Sequence, residues 1–148
     1  MLDGLFVAPA VAAITEALGD TSGVIAVIGD AKIAQAIAAK YTVIAVGISG
    51  RAAKKLPKAL AETAKDSVAS IDPGSLAAVI GVNVTEDDGW VETLRSWTRA
   101  VRDEGTLVLI DKSHATEASR RALCAGLTEL EQRHAGRAVV TSGLVTHL

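Results

Sequence analysis

Along this chain, short runs of β-branched residues alternate with stretches whose apolar positions recur every three or four residues. Val11, Ile14 and Leu18 have helical spacing and Gly19 follows them. They predict a first helix over about residues 9–18, with Pro9 in its first turn, where a missing N–H costs nothing. Val24, Ile25, Ala26, Val27 and Ile28 form a continuous apolar run between Gly23 and Gly29, the pattern of a strand buried on both faces. Asp30 stands at a helix N-cap position, and Ile33, Ala36, Ile37 and Lys40 continue on one helical face. The unit then repeats. Residues 42–46 predict a second strand, and Ser49, Gly50 and Arg51 open a helix to about residue 65, bent or divided at Pro57. Residues 67–71 predict a short third strand, Asp72-Pro73-Gly74-Ser75 a turn, and residues 76–82 a fourth strand. A helix over about 87–103 places Trp90, Leu94, Trp97 and Val101 on one side and Arg95, Arg99 and Arg102 on the other, ending at Gly105. Residues 106–111 predict a fifth strand. A long helix over 116–135 aligns Leu123, Leu127, Leu130 and His134, and Gly136 closes it. The tail, 137–148, reads as one bulged strand or two short ones around Ser142 and Gly143.

Strands alternating with helices over short connections predict βαβ units, right-handed crossovers and a mainly parallel sheet. No linker or low-complexity stretch interrupts the 148 residues, so the chain reads as a single α/β domain over 1–148. Composition sharpens this only in places. Phe6, Tyr41, Trp90 and Trp97 are the only aromatic residues, so the core must be built from Ala, Val, Ile and Leu. A formal charge of −2, with no stacking platform, speaks against nucleic acid. Cys124 is the single cysteine. It excludes an internal disulfide, leaves no cysteine-based zinc site and suits a cytoplasmic location. The apolar start over 5–14 has no basic residue ahead of it, follows Asp3 and is broken by Pro9, so it reads as the lead into a helix and not as a signal peptide. No stretch approaches the roughly 18 apolar residues of a membrane span.

Three stretches carry a family resemblance. They are the first strand with its turn, Val24-Ile25-Ala26-Val27-Ile28-Gly29-Asp30; the second strand with its turn, residues 42–49; and residues 76–111, from the fourth strand through the helix with Leu94, Trp97 and Arg99 to Asp111. Together they resemble class I methyltransferases, the Rossmann-like family that uses S-adenosylmethionine, and the likeness spans about residues 8–135. The resemblance implies a three-layer αβα fold with strand order 3-2-1-4-5 and a C-terminal strand or strands beyond the fifth. It also implies a pocket at Gly29, Asp30, Gly47, Asp72 and Asn83. The chain departs from the family pattern there. Its first loop, Gly29-Asp30-Ala31-Lys32-Ile33, has one glycine where the family is glycine-rich, since backbone must approach the cofactor closely. At the end of the second strand, Ala45-Val46-Gly47-Ile48 offers no carboxylate for ribose hydroxyls, and the nearby Arg51, Lys54 and Lys55 cannot accept. Asp72 matches the carboxylate the family often turns toward adenine, although Asp72-Pro73-Gly74 is also a plain turn.

The remaining polar residues are read mainly as structure. Asp111-Lys112-Ser113-His114 is the most polar cluster, and His114 could act as a general base near Asp111. The simpler reading is a polar loop with Ser113 or Thr116 capping the next helix. His134 is expected near a helix C-terminus, where an imidazolium is favoured, and Cys124 in a core or interface. Glu86-Asp87-Asp88 should open a helix. The arginines at 95, 99 and 102 and the lysines at 54, 55 and 58 should lie on solvated faces. No catalytic set and no metal-ligand set emerges. The expectation is therefore a non-catalytic, methyltransferase-like domain without a cofactor, acting through protein contact. The alternative is an S-adenosylmethionine-dependent methyltransferase with an atypical site. A homodimer or protein partner is expected through the fifth strand, the tail and the helix around 118–130, because a short tail would leave a sheet edge unpaired.

Overall fold

The structure, a computed structural model, describes residues 4–147; the expectations resting on Asp3 and Leu148 lie outside the described residues. The elements in chain order are α1 (Gly4–Leu18), β1 (Val24–Ile28), α2 (Ala31–Ala38), β2 (Thr42–Val46), α3 (Gly50–Lys54), α4 (Lys58–Thr63), β3 (Leu76–Val82), α5 (Trp90–Ala100), β4 (Val101–Asp111), α6 (Ala115–Cys124), β5 (Thr128–Ala135) and β6 (Ala138–Leu144). They form one six-stranded sheet in the order β2-β1-β3-β4-β6-β5. Strands β1 to β4 pair in parallel, while β4–β6 and β5–β6 are antiparallel.

Helices cover both faces. On one, α1, α2 and the leucines Leu56 and Leu60 pack on Ile25, Val27, Ala78, Ile80, Val108, Ile110 and Val140. On the other, Leu94, Trp97, Ala100, Ala122 and Leu127 pack on Ala26, Val46, Val79, Leu107 and Leu109. Each strand thus sends alternate residues to opposite layers, which is why β1 and β3 are nearly continuous apolar runs. Gly81 makes room for the largest side chain of the second layer, because a Cβ there would sit 2.3 Å from the Trp97 ring.

Four elements depart from the sequence reading. Helix α1 begins before Pro9 and carries it in its interior. The helix expected to about residue 65 is divided at Pro57 into the short α3 and α4, as its proline implied, but Val68–Ser70 is a 3-10 turn where a third strand was expected. The β2 edge instead carries a single parallel bridge, Val46 to Lys65, just ahead of the expected strand. The helix of residues 87–103 stops at Ala100, and β4 starts at Val101 with an irregularity in its pairing to β3 around Gly105. The last predicted helix ends at Cys124, and residues 128–135 form strand β5. Gly126, at φ +88°, breaks the helix, and Leu123 is 62% exposed, so the leucine spacing marks no buried helical face. The consequence is large: β5 and β6 form the complete antiparallel hairpin that a short tail was expected to lack. His134 then lies exposed on the edge strand, opposite Val139, and Cys124 is exposed at the end of α6.

Candidate functional site

In an open α/β sheet, ligands meet the carboxyl ends of the strands. Here those ends are Ile28-Gly29-Asp30 of β1, Val46-Gly47 of β2, Val82-Asn83 of β3 and Asp111 of β4. At β1 the chain turns straight into helix α2. Gly29 adopts φ +84° and donates its N–H to the Val46 carbonyl at 2.9 Å. Asp30 follows in extended backbone, fully buried, and its carboxylate accepts the Ile33 N–H at 3.0 Å. Asp30 thus caps the first turn of α2. Gly47 takes φ +67° and donates to the Lys65 carbonyl at 2.9 Å, while Lys65 donates to Ala45 at 3.0 Å.

This two-bond clasp brings a carboxylate to the sheet edge that sequence reading missed. Asp66 follows Lys65 directly and stands exposed beside Gly47. It lines a crevice of about 360 Å³ with Ile28, Val46, Gly47, Ser67, Val68, Glu92, Thr93, Ser96 and Trp97. Its lining combines apolar Ile28, Val46, Val68 and Trp97 with the polar side chains of Asp66, Ser67, Glu92, Thr93 and Ser96. Asp72, expected in the pocket, is elsewhere. It sits in the turn before β3, at the amino ends of the parallel strands, where its carbonyl accepts the Ser75 N–H and hydroxyl. Arg99 holds the chain between these two places by donating to the carbonyls of Val68 and Ile71 at 3.3 and 3.2 Å. It is a clamp and not part of a solvated face.

Next along the same edge, Asn83 adopts the left-handed conformation at φ 59° and donates its N–H to Ile110 at 2.8 Å. Asp111, 1% exposed, ends β4. Its Oδ1 accepts the Thr85 N–H at 3.0 Å and the Thr85 hydroxyl at 2.8 Å. Its Oδ2 and the Asn83 Oδ1 are buried with no hydrogen-bond partner, a costly state that a ligand donor would relieve. Burial pushes the Asp111 carboxyl above its ordinary range, against the lowering effect of the two Thr85 bonds. His114 is exposed at the N-cap of α6 and gives no side-chain cap, so neither Ser113 nor Thr116 takes the capping place. Helix α6 is anchored by Arg121, which donates to the carbonyls of Val84 and Asp87 and stacks 5.1 Å from the Trp90 ring centre. Glu117 binds both Arg120 and Arg121, and these bonds hold its carboxyl down to about 2. Glu86-Asp87-Asp88 precedes α5, where Asp87 accepts from Gly89 and Thr93.

No family profile matches the chain, and no curated protein is similar to it in sequence. Solved structures are similar in fold. A Burkholderia thailandensis 1,6-didemethyltoxoflavin-N1-methyltransferase, with 1,6-didemethyltoxoflavin and S-adenosylhomocysteine bound, superposes with a TM-score of 0.77 at 15% identity, over 98% of this chain and 80% of that one. An S-adenosylmethionine-dependent methyltransferase from Aquifex aeolicus gives 0.70 at 10%, over 96% and 92%. A chain of a Haloferax volcanii complex that contains the Trm112 methyltransferase activator gives 0.68 at 12%, over 91% and 89%. The chain has the methyltransferase-like Rossmann fold, as its strand pattern implied. The expectation of no cofactor is corrected by the same comparison, since the toxoflavin enzyme of this fold holds S-adenosylhomocysteine.

Proposed function

We propose that this chain is an S-adenosylmethionine-dependent methyltransferase domain that holds the nucleoside of its cofactor in the crevice beside Gly47. The observation that carries this reading is the placement of Asp66. The missing acid at the end of β2 is replaced by one delivered from the next segment, in the lining of a crevice that also holds apolar side chains. The residues present fit the group at this end. Ile28 and Val68 offer surface to a flat base, and Asp66 and Ser67 offer acceptors to its donors. The unpartnered acceptors of Asn83 and Asp111 continue along the sheet edge and suit a donor such as an ammonium group. When bound, the cofactor supplies an activated methyl group on a sulfonium. The chain's own part is to hold it without a glycine-rich loop, so the side chains at 66, 83 and 111 carry more of the binding.

Calorimetry with S-adenosylhomocysteine tests this directly. Asp66→Ala should weaken binding by about tenfold, near 1.4 kcal/mol, and Asp72→Ala should leave it unchanged. No binding, or equal loss in both variants, overturns the reading. A second reading is a domain that holds the nucleoside but works through a protein partner. Its supporting observation is an exposed apolar pair, Val91 at 48% on α5 and Leu123 at 62% on α6, beside a groove containing Trp90, Leu94 and Ala125. Light scattering on the wild type and on Leu123→Lys separates a second copy of this chain from a monomer.

A further inference from the structure

The positive charge of this chain is segregated. Residues 31–61 contain Lys32, Lys40, Arg51, Lys54, Lys55 and Lys58, which is six of the 15 lysines and arginines, and none of the 17 aspartates and glutamates. In a chain of net charge −2, such a stretch makes one region of the surface strongly cationic. The fold concentrates it further. Helices α2 and α3 lie on the same face of the sheet and leave a cavity of about 450 Å³ between them, lined by Ala31, Lys32, Gln35, Arg51, Ala52 and Lys55. This cavity is separate from the crevice at Asp66, which opens toward α5 on the other face.

The three cations of this cavity come from two helices, so the fold and not one sequence run brings them together. Among the described residues none of the three side chains has a hydrogen-bond or ion-pair partner. Some cations outside the cavity are paired: Lys58 with Glu62, Arg95 with Glu92, Arg120 and Arg121 with Glu117, and Arg133 with Glu131. The carboxylate at this end of α2, Asp30, is fully buried beneath the first turn and bound to Ile33. The lining thus draws on one arginine, two lysines and a glutamine beside two alanines, with the Gln35 amide donating to the Lys55 carbonyl at 3.5 Å.

We infer that the cavity between α2 and α3 is a binding site for the phosphoryl group of a phosphorylated small molecule, held by Arg51, Lys32 and Lys55. Arginine and lysine suit this role differently: Arg51 offers parallel N–H donors that match two phosphate oxygens, and the lysines act as point charges that complete the neutralisation. The volume lies in the range of small-molecule sites. A phosphomonoester fits better than a nucleic acid strand, because the three cationic residues line one concavity and no aromatic side chain lines it to stack a base. The inference does not depend on the methyltransferase reading, since the two sites share no residue.

The test uses the full chain with pyrophosphate and ribose 5-phosphate as probes, and ribose as the uncharged control. Amide shifts in a titration should move at Lys32, Arg51 and Ala52 for both phosphorylated probes and stay still for ribose. Arg51→Gln and Lys55→Gln, both at exposed positions, should each weaken binding by about threefold to fivefold, with Lys40→Gln, outside the cavity, having no effect. Binding of ribose 5-phosphate but not pyrophosphate assigns a sugar-phosphate source, and the reverse assigns a free or diphosphate anion; either supports the site. No shift at millimolar probe overturns it. So does equal binding in wild type and the two variants. A single-stranded oligonucleotide that binds more tightly than either probe, with the same sensitivity to Arg51→Gln, replaces the small molecule with nucleic acid and overturns the assignment.

Discussion

At the scale of single residues, two aspartates show what spacing can and cannot reveal. Asp72 was visible because it follows a run that looks like a strand, yet the run is a 3-10 turn and the residue lands at the opposite end of the sheet. Asp66 was invisible because the strand that delivers it is one bridge long, too short for any periodicity to register. Asp111 makes a separate, pH-dependent claim. Burial raises its folded-state carboxyl above the usual carboxylate range, so ionising it costs the folded state more than the unfolded chain. Its neutral form is favoured at low pH, and that advantage is lost as pH rises from the unfolded value through the folded one. Asp111→Asn keeps the acceptor for Thr85 and removes the charge. Denaturant melts should show the variant gaining on the wild type as pH rises from acid to neutral. A constant difference would show that the charge is already compensated. Val27 and Val108 are fully buried strand residues. Truncating either to alanine should lower stability by about 1–3 kcal/mol through lost burial and a cavity, read as a shift in urea midpoint.

At the scale of elements, the buried parallel strands were the most legible parts. Their signal is a short apolar run rich in β-branched residues and ended by a glycine or a polar turn, whereas the apolar run over 5–14, rich in alanine, forms α1. The edge elements were misread for a physical reason. Strand β5 is half-exposed, carries Glu129, Glu131 and Arg133, and has an irregular pairing near Thr128. The leucines at 123, 127 and 130 fall at helical spacing by coincidence, since Leu123 lies in the last turn of α6, Leu127 between the elements and Leu130 in β5, and only Gly126 marks the break. Charge on that strand also protects the sheet edge from pairing with another chain, so the finished hairpin removes the main reason for expecting dimerisation there. The contact between β3 and α5 makes a sharper prediction. Gly81→Ala places a Cβ 2.3 Å from the Trp97 ring, inside a layer where neither the strand nor the indole can easily move. The variant should lose about 2 kcal/mol or more by overpacking. Trp97→Leu, costly alone, should recover part of that loss in the double variant, because the two share one volume. Additive losses would mean that the ring does not occupy this position.

At the scale of the whole molecule, the sheet separates two chemistries onto its two faces. The crevice with Asp66, Ser67 and Trp97 opens toward α5, and the cationic cavity with Lys32, Arg51 and Lys55 lies between α2 and α3. A ligand that binds only the folded chain raises its stability by an amount set by concentration over Kd, about 2.7 kcal/mol at a hundredfold excess. For a domain of this size each kcal/mol corresponds to roughly 2–4 °C. Saturating S-adenosylhomocysteine should therefore raise the melting temperature by about 5–10 °C. Asp66→Ala should reduce that shift while melting normally without ligand, since residue 66 is exposed and supports no core contact. Arg51→Gln should keep the full shift with S-adenosylhomocysteine and lose whatever shift pyrophosphate produces. The cross pattern matters more than either number. If both substitutions reduce both shifts, the ligands share one site and the two-sided reading is wrong. If S-adenosylhomocysteine produces no shift while pyrophosphate does, the methyltransferase reading falls and the phosphoryl site stands.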